Sequence, residues 1–435
     1  MRRRKTVRVA TAAALGLTLL GGLAARAAFA EPATASTYPR GTTGTHFSGL
    51  AFDTCDAPSR QTMQAWKASP FGAVGIYVSG EHRACNQAQL TADWVRDVTA
   101  MGWKLLPLDV GRQAPCMDNP RLTKISLTRS TAVAQGSAAA QSAVAAARAL
   151  GIRTGSPLYS DLEYYAGGDA ACTRAVRSYV TGWTRALHKL GYLAGVYGNT
   201  DRTTRDLALS YDDTAHARPD AVWSAQWNGL PELAGRPSVG DGVWPNHQRV
   251  KQYRGDHTAR HGGVALTIDA SVLDAPVATV ALPYAVTGAG PATARLRPHE
   301  TGLASRTLEV GATVEVLCQA PTATGTWDKL IDGSFLPDAL VGSGAVKSAL
   351  PTCSTPYQVA TEMLNLRAGP SPTADIVGTL RGGTLAWVIC ETPGLTLGRP
   401  GYWQKLDTGQ WVSGPLISRP SPYERAYAVP LCSTA

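Results

Sequence analysis

Apolar residues recur along this chain in two rhythms. Over 46–283, short apolar runs alternate with longer stretches in which apolar residues return every three or four positions. The first pattern reads as buried strand and the second as a helix with one buried face. The runs predict strands over 48–53, 73–78, 104–110, 156–162, 193–197, 221–226, 250–253 and 266–269. Helices are expected over 59–68, 87–101, 131–150 and 172–190. Eight strands alternating with helices predict an α/β fold, a closed parallel (β/α)8 TIM-like barrel. The glycine-rich phosphate fingerprint of an open doubly wound sheet is absent.

Beyond Pro283 the rhythm shortens to β segments and turns, and an internal repeat appears. Ala294-Arg295-Leu296-Arg297 matches Leu364-Asn365-Leu366-Arg367, and Val314-Glu315-Val316-Leu317-Cys318 matches Ala386-Trp387-Val388-Ile389-Cys390. Gly325-Thr326-Trp327-Asp328-Lys329-Leu330 matches Gly401-Tyr402-Trp403-Gln404-Lys405-Leu406. Two small all-β barrels are expected, over 290–354 and 356–435. Units of about 70 residues bury little core and call for staples. The cysteines provide them, as Cys318–Cys353 and Cys390–Cys432, each contributing about 3 kcal/mol by loop entropy.

The first thirty residues change the picture of charge. Arg2-Arg3-Arg4-Lys5, an apolar run of about fifteen residues and Ala28-Phe29-Ala30 make residues 1–30 a signal peptide. The run is shorter than the roughly twenty residues that span a bilayer, and no later segment reaches that length. No integral membrane segment is therefore expected after cleavage. Arg3-Arg4 followed by Val7 resembles a twin-arginine export signal, with the ordinary Sec route open as well. Cleavage removes six basic residues and no acidic one, so the formal charge of +9 drops to +3. That balance argues against a nucleic-acid partner. Residues 31–45, rich in Thr, Ala, Pro and Gly, read as a flexible lead-in.

Eight cysteines in an exported chain read as disulfides. Cys55, Cys85, Cys116 and Cys172 each follow one of the first four predicted strands; neighbouring strands favour Cys55–Cys85 and Cys116–Cys172 among three connectivities. His46, His82, His247, His257 and His261 show no ligand spacing and read as surface or loop residues, so neither metal nor cofactor is expected.

The chemistry gathers at strand ends. Asp161 and Glu163, two apart, share a face of the fourth strand. Asp53 and Asp269 end the first and eighth predicted strands, and Asp109 lies next to the end of the third. Acids converging on the rim of a barrel suit glycosidic-bond hydrolysis, one carboxyl protonating the leaving oxygen while another assists. Tyr77, Tyr197, Trp223, Trp227 and Tyr253 fall at strand ends where a ring can stack on a sugar, and Gln226 and Gln252 where an amide can reach its hydroxyls.

Gly49-Leu50-Ala51-Phe52-Asp53-Thr54-Cys55-Asp56-Ala57-Pro58-Ser59, Tyr159-Ser160-Asp161-Leu162-Glu163 and Trp223-Ser224-Ala225-Gln226-Trp227 resemble the actinobacterial glycoside-hydrolase-like domain, a relative of the family 25 lysozymes. The resemblance covers about 46–280. It implies Glu163 as general acid, Asp161 and Asp53 as assisting groups, and Asp269 completing the rim. Leu364-Asn365-Leu366-Arg367-Ala368-Gly369-Pro370-Ser371 resembles the opening of a bacterial SH3 domain, of which the first repeat is a diverged copy. Together these resemblances imply a secreted or wall-associated protein acting on cell-wall glycan such as peptidoglycan. The alternatives are a binding protein that uses the same cleft without turnover, and a structural envelope protein.

Overall fold

Eight strands close into a barrel in sequence order. They are β1 (Thr45–Asp53), β2 (Phe71–Ser79), β3 (Lys104–Asp109), β4 (Pro157–Leu162), β5 (Leu193–Asn199), β6 (Ala221–Ala225), β7 (Arg249–His261) and β8 (Val264–Val277). The computed structural model describes residues 43–235, 238–322, 325–342, 347, 350–417 and 429–432. The expected signal peptide, its twin-arginine pair and the lead-in up to residue 42 lie outside the described residues.

The barrel departs from the expected all-parallel form at its seam. Strands β1 to β7 pair in parallel. Strand β8 runs antiparallel to both β7 and β1. The reason lies in the turn. Gly262 and Gly263, with φ of +55° and +82°, join β7 to β8 in a two-residue hairpin, leaving no room for a crossover helix. A Cβ on Gly262 would also fall 2.2 Å from the carbonyl oxygen of Ala65. The outer part of β7 and the first four residues of β8 alternate between half-buried and exposed positions; the apolar runs marked the inner start of β7 and the hairpin side of β8, and left the inner length of β8 unread.

Helical cladding is likewise confined to the first half. Helices α1 (Arg60–Ala65), α2 (Ala92–Ala100), α3 (Arg129–Ala149) and α4 (Ala170–Leu190) cover β1 to β5; after β5 the described α-helix is the single turn α5 (Arg205–Ala208). Helix α4 shows how the sequence sets its ends. Asp169 caps its first turn by accepting from the Ala171 and Cys172 amides, and Gly191 closes it in the left-handed conformation. Between helices and strands lies a core containing Trp66, Trp94, Trp103 and Trp183. Ala51, Ala73, Leu106, Leu108, Tyr159, Trp223, Val250 and Leu273 fill the barrel itself. Gly75 makes space there, since a Cβ would meet Asp53 at 2.7 Å and Trp223 at 3.1 Å. No described helix is long and apolar enough to cross a membrane.

The repeat in the sequence is a repeat in topology. The first C-terminal sheet has the order β11-β10-β14-β13-β12-β9 and the second β15-β18-β19-β20-β16-β17, the same arrangement with its members renumbered. In the first sheet β9 is Leu282–Ala285, β10 Ala292–Arg295, β11 Ala304–Leu308, β12 Thr313–Thr322, β13 Gly325–Leu330 and β14 Phe335–Pro337. It therefore starts before position 290, because β9 pairs with β12. The second comprises β15 (Thr355–Gln358), β16 (Met363–Arg367), β17 (Ile376–Arg381), β18 (Leu385–Thr396), β19 (Arg399–Leu406) and β20 (Trp411–Ser413). Each long hairpin bulges just before its cysteine, between Val316 and Cys318 and between Val388 and Cys390. One cross-strand pair is exchanged between them. Gln319 donates to buried Asp328 at 3.1 Å in the first, whereas Gln404 donates to buried Glu391 at 2.9 Å in the second.

The disulfides are Cys55–Cys85, Cys116–Cys172, Cys318–Cys353 and Cys390–Cys432. Both sheets rest on the base of the barrel, where β1 and β4 to β7 begin. Lys329 Nζ donates to Thr43 Oγ1 at 2.7 Å from the first sheet. Gln358 donates to Asp220 at 3.2 Å and Arg218 to the Gly382 carbonyl at 2.7 Å at the second.

Candidate active site

At the other end of the barrel the antiparallel seam sets Asp53 of β1 directly opposite Asp269 of β8. Gln252 of β7 ties the two together. Its Nε2 donates to Asp53 Oδ1 at 3.2 Å and to Asp269 Oδ2 at 3.3 Å. Its Oε1 accepts from Tyr197 Oη at 3.0 Å and from Trp227 Nε1 at 2.9 Å. Two donors on the oxygen fix the amide's orientation, so its N–H groups face the acids. Tyr77 Oη donates to Asp53 Oδ2 at 3.2 Å from β2.

Asp161 lies in β4 and Glu163 one residue past its end. Pairing between β3 and β4 ends at Asp109 and Ser160. From there a side chain takes over. Buried Gln113 donates to the Asp161 carbonyl at 2.9 Å and accepts from the Glu163 amide at 2.9 Å, which pins the backbone carrying both acids.

The surroundings of these acids are themselves acidic. Burial, aided by the charge of Asp269, pushes the Asp53 carboxyl up to about 8. Asp161 is held well above the usual carboxylate range by burial and then by Glu163, Asp53 and Asp109. Its Oδ1 is buried and has no hydrogen-bond partner. Glu163 stands on the solvent-exposed lip with protein around most of it; that enclosure, then the charge of Asp269, raises its pKa. Asp269 is raised by burial, opposed by the Asp256 amide that it accepts at 2.6 Å. Asp109 is buried beside them and reaches about 6, with Ser79 donating to Oδ1 at 2.6 Å while Oδ2 lacks a partner. Groups of this kind exchange protons near neutrality, and a carboxyl that stays protonated can act as an acid.

The aromatic expectations divide. Tyr77 and Tyr197 are half-buried and bonded to the acid network. Trp227 is 58 % exposed and lies against Gly255, where a Cβ would clash at 2.2 Å, so one flat face is open to solvent. Trp223 is a correction. It is fully buried, edge-on to Tyr159 and Tyr197, and its Nε1 donates to Ser271 at 3.1 Å, so it offers the mouth no face. Tyr253 is a second: strand alternation turns it away from Gln252 and onto the outer core. Gln226 joins this network through its main-chain N–H, which donates to the Gln252 carbonyl at 2.9 Å. Gln113 was missed, as a lone glutamine in a loop carries no pattern. The histidine reading also changes. His46 and His247 stack at 3.9 Å, His82 accepts from the Thr123 amide at 2.9 Å, and His261 sits edge-on to Trp66 at 5.0 Å.

Residues 64–273 match the family described as Rv2525c-like, glycoside hydrolase-like domain. Over that span the barrel is similar to that family. The Rv2525c-like domain thus takes in Asp109, Asp161, Glu163 and Asp269, while Asp53 precedes the matched span. Among solved structures, the chain is similar to the Mycobacterium tuberculosis Tat-secreted protein Rv2525c in complex with L-tartrate, at 16 % identity and a TM-score of 0.36, over 52 % of this chain and 96 % of that one. It is similar to the catalytic domain of endolysin ply40 from bacteriophage P40 of Listeria monocytogenes, at 15 % identity and TM-score 0.31, over 53 % and 95 %. A third is the Clostridium perfringens spore cortex lytic enzyme SleM, at 11 % identity and TM-score 0.36, over 84 % and 95 %. No curated protein matches.

Proposed function

We propose that the Rv2525c-like barrel hydrolyses a glycosidic bond of cell-wall glycan, peptidoglycan being the first candidate, with Glu163 as the general acid. The observation that carries this reading is the acid cluster itself. Asp53, Asp161, Glu163 and Asp269 sit on one end of the barrel with every pKa raised. Glu163 stands at the solvent-facing edge, where a leaving oxygen can reach it. It keeps its proton to a higher pH than an isolated glutamate and delivers it as the bond breaks. Asp161 and Asp53 assist by sharing the remaining charge around the sugar, and Gln252 and Gln113 position them. Tyr77, Tyr197 and Trp227 border the same mouth as the sugar-facing rings. The C-terminal units, as SH3-like modules, hold the protein at the wall after export through the 1–30 signal.

The exposed face of Trp227 favours a second reading, in which the mouth binds glycan without cutting it. One comparison separates the two. The mature protein is expected to release reducing ends from purified peptidoglycan, and Glu163→Gln to lose about 10²- to 10⁴-fold of that rate while still pulling down on the same material. An unchanged rate in Glu163→Gln removes Glu163 from the acid's role. No release by either protein, with binding retained, leaves the non-catalytic reading.

A further inference from the structure

At the base of the barrel, four side chains distant in sequence meet where the second C-terminal sheet docks. His46 comes from β1, His247 from the segment before β7, Asp274 from β8 and Asp407 from the turn after β19. The imidazoles of His46 and His247 stack with centroids 3.9 Å apart and planes 14° apart. His247 Nδ1 lies 2.6 Å from Asp274 Oδ1, and its Nε2 faces Asp407 Oδ2 at 3.5 Å. His46 Nε2 lies 2.6 Å from that same Asp407 oxygen. The edge of buried Trp387 from β18 closes the stack on one side, its ring centred 5.0 Å from that of His46.

We infer that this cluster is a proton-dependent bolt between the barrel and the second C-terminal sheet. His247 has a carboxylate oxygen at each ring nitrogen, the arrangement that suits an imidazolium donating both N–H groups. Asp407 is the sheet's contribution, and it reaches both rings. The arrangement does not suit a shared metal ion, although the nitrogen and oxygen atoms of His46, His247 and Asp274 lie within 4.8 Å of one another. Two nearly parallel rings direct their lone pairs in separate planes, and the nearest nitrogens are already at hydrogen-bond distance from carboxylates.

The other charged groups nearby leave the bolt intact. Ser48 donates to Asp274 from β1. Arg249 and Lys251 of β7 turn elsewhere, onto the carbonyls of Val243 and Leu230 among others. Lys405 of β19 lies over the Trp411 ring. Lys104 of β3 lines the adjoining cleft with His46. Burial works against a charge on His247, but Asp274 and Asp407 outweigh it and raise its pKa above 6.5. Burial also works against a charge on Asp274, and His247 and Ser48 outweigh it, lowering its pKa below 3.8. The signs give a window. The histidine contribution is complete below about 6.5 and fades as pH rises through the raised value; the aspartate contribution holds above about 3.8 and fades as pH falls through the lowered one. Docking is tightest between the two.

Hydrogen exchange of the full chain at pH 5.5 and 8.5, corrected for the intrinsic rate, reads the bolt directly. Amides 385–388 and 408 of the second sheet are expected to lose at least about threefold in protection at the higher pH, relative to β4. In Asp407→Asn that difference is expected to vanish. Equal protection at both pH values in the wild type, or the same loss in Asp407→Asn, overturns the inference. Protection regained at pH 8.5 on adding Zn²⁺ overturns it too, because the cluster would then be a metal site.

Discussion

The barrel carries carboxyls at each end, and Asp274 at the base behaves in the opposite way to the four at the mouth. At the mouth, Asp53, Asp161, Glu163 and Asp269 have mainly one another for company, and every one has its pKa raised. At the base, Asp274 faces His247 and its pKa is lowered. Burial disfavours charge at both ends; the neighbour decides which way the balance falls. At the base, Asp407 of the second sheet reaches both histidines of the barrel and joins the two units. The mouth keeps acids that cost stability, which supports the function proposed for it.

The largest expected effect comes from breaking the hub of the mouth. Gln252→Leu takes one hydrogen-bond partner from each of two carboxyls, a phenol and an indole, and urea denaturation is expected to show a loss of about 2–4 kcal/mol. A loss below about 1 kcal/mol would mean that water replaces the amide and that the mouth is wetter than its burial implies. Next is Asp53→Asn, whose sign is the informative part. A folded-state pKa raised to about 8 makes wild-type stability fall as pH rises from near 3.8 through 8. The variant is therefore expected to match the wild type in acid and to exceed it at pH 8 by on the order of a few kcal/mol, in denaturation curves taken across that range. A variant that is less stable at every pH would show that Asp53 is held as a satisfied carboxylate. The smallest effect belongs to the base. Asp274→Asn is expected to cost about 1 kcal/mol near pH 6, for a half-exposed pair, and the cost should shrink below about pH 4. Opposite slopes for the two variants would confirm the contrast between the ends; parallel slopes would dissolve it.

What the sequence made legible follows from how local each signal is. The eight strands, four of the helices and the repeat are written in periodicity over a dozen residues or fewer. Asp161 and Glu163 could be read as a pair because strand alternation is local too. The antiparallel β8 was also written locally, in His261-Gly262-Gly263-Val264, but the polar outer part of β7 separated that turn from the apolar run at 250–253, so 266–269 read as a separate parallel strand. Trp223 and Tyr253 show a different limit. A position near a strand end does not say which face a ring takes, and here one ring went into the barrel and the other onto its outside. Gln113, His46 and His247 act through partners far along the chain, so no window of sequence contains their reason for being there.

The exchanged pair in the C-terminal sheets carries a lesson about how such repeats diverge. Where one sheet has Gln319 across from Asp328, the other has Glu391 across from Gln404. Compared position by position, the copies disagree at both sites. Compared as a couple, one amide and one carboxyl still face each other in a buried register, with the donor on the opposite strand. A single replacement would have set two amides or two acids against each other, so the route between the copies passes through a less stable ancestor or a paired change. What is inherited at this place is the bond, and the two strands have traded the parts.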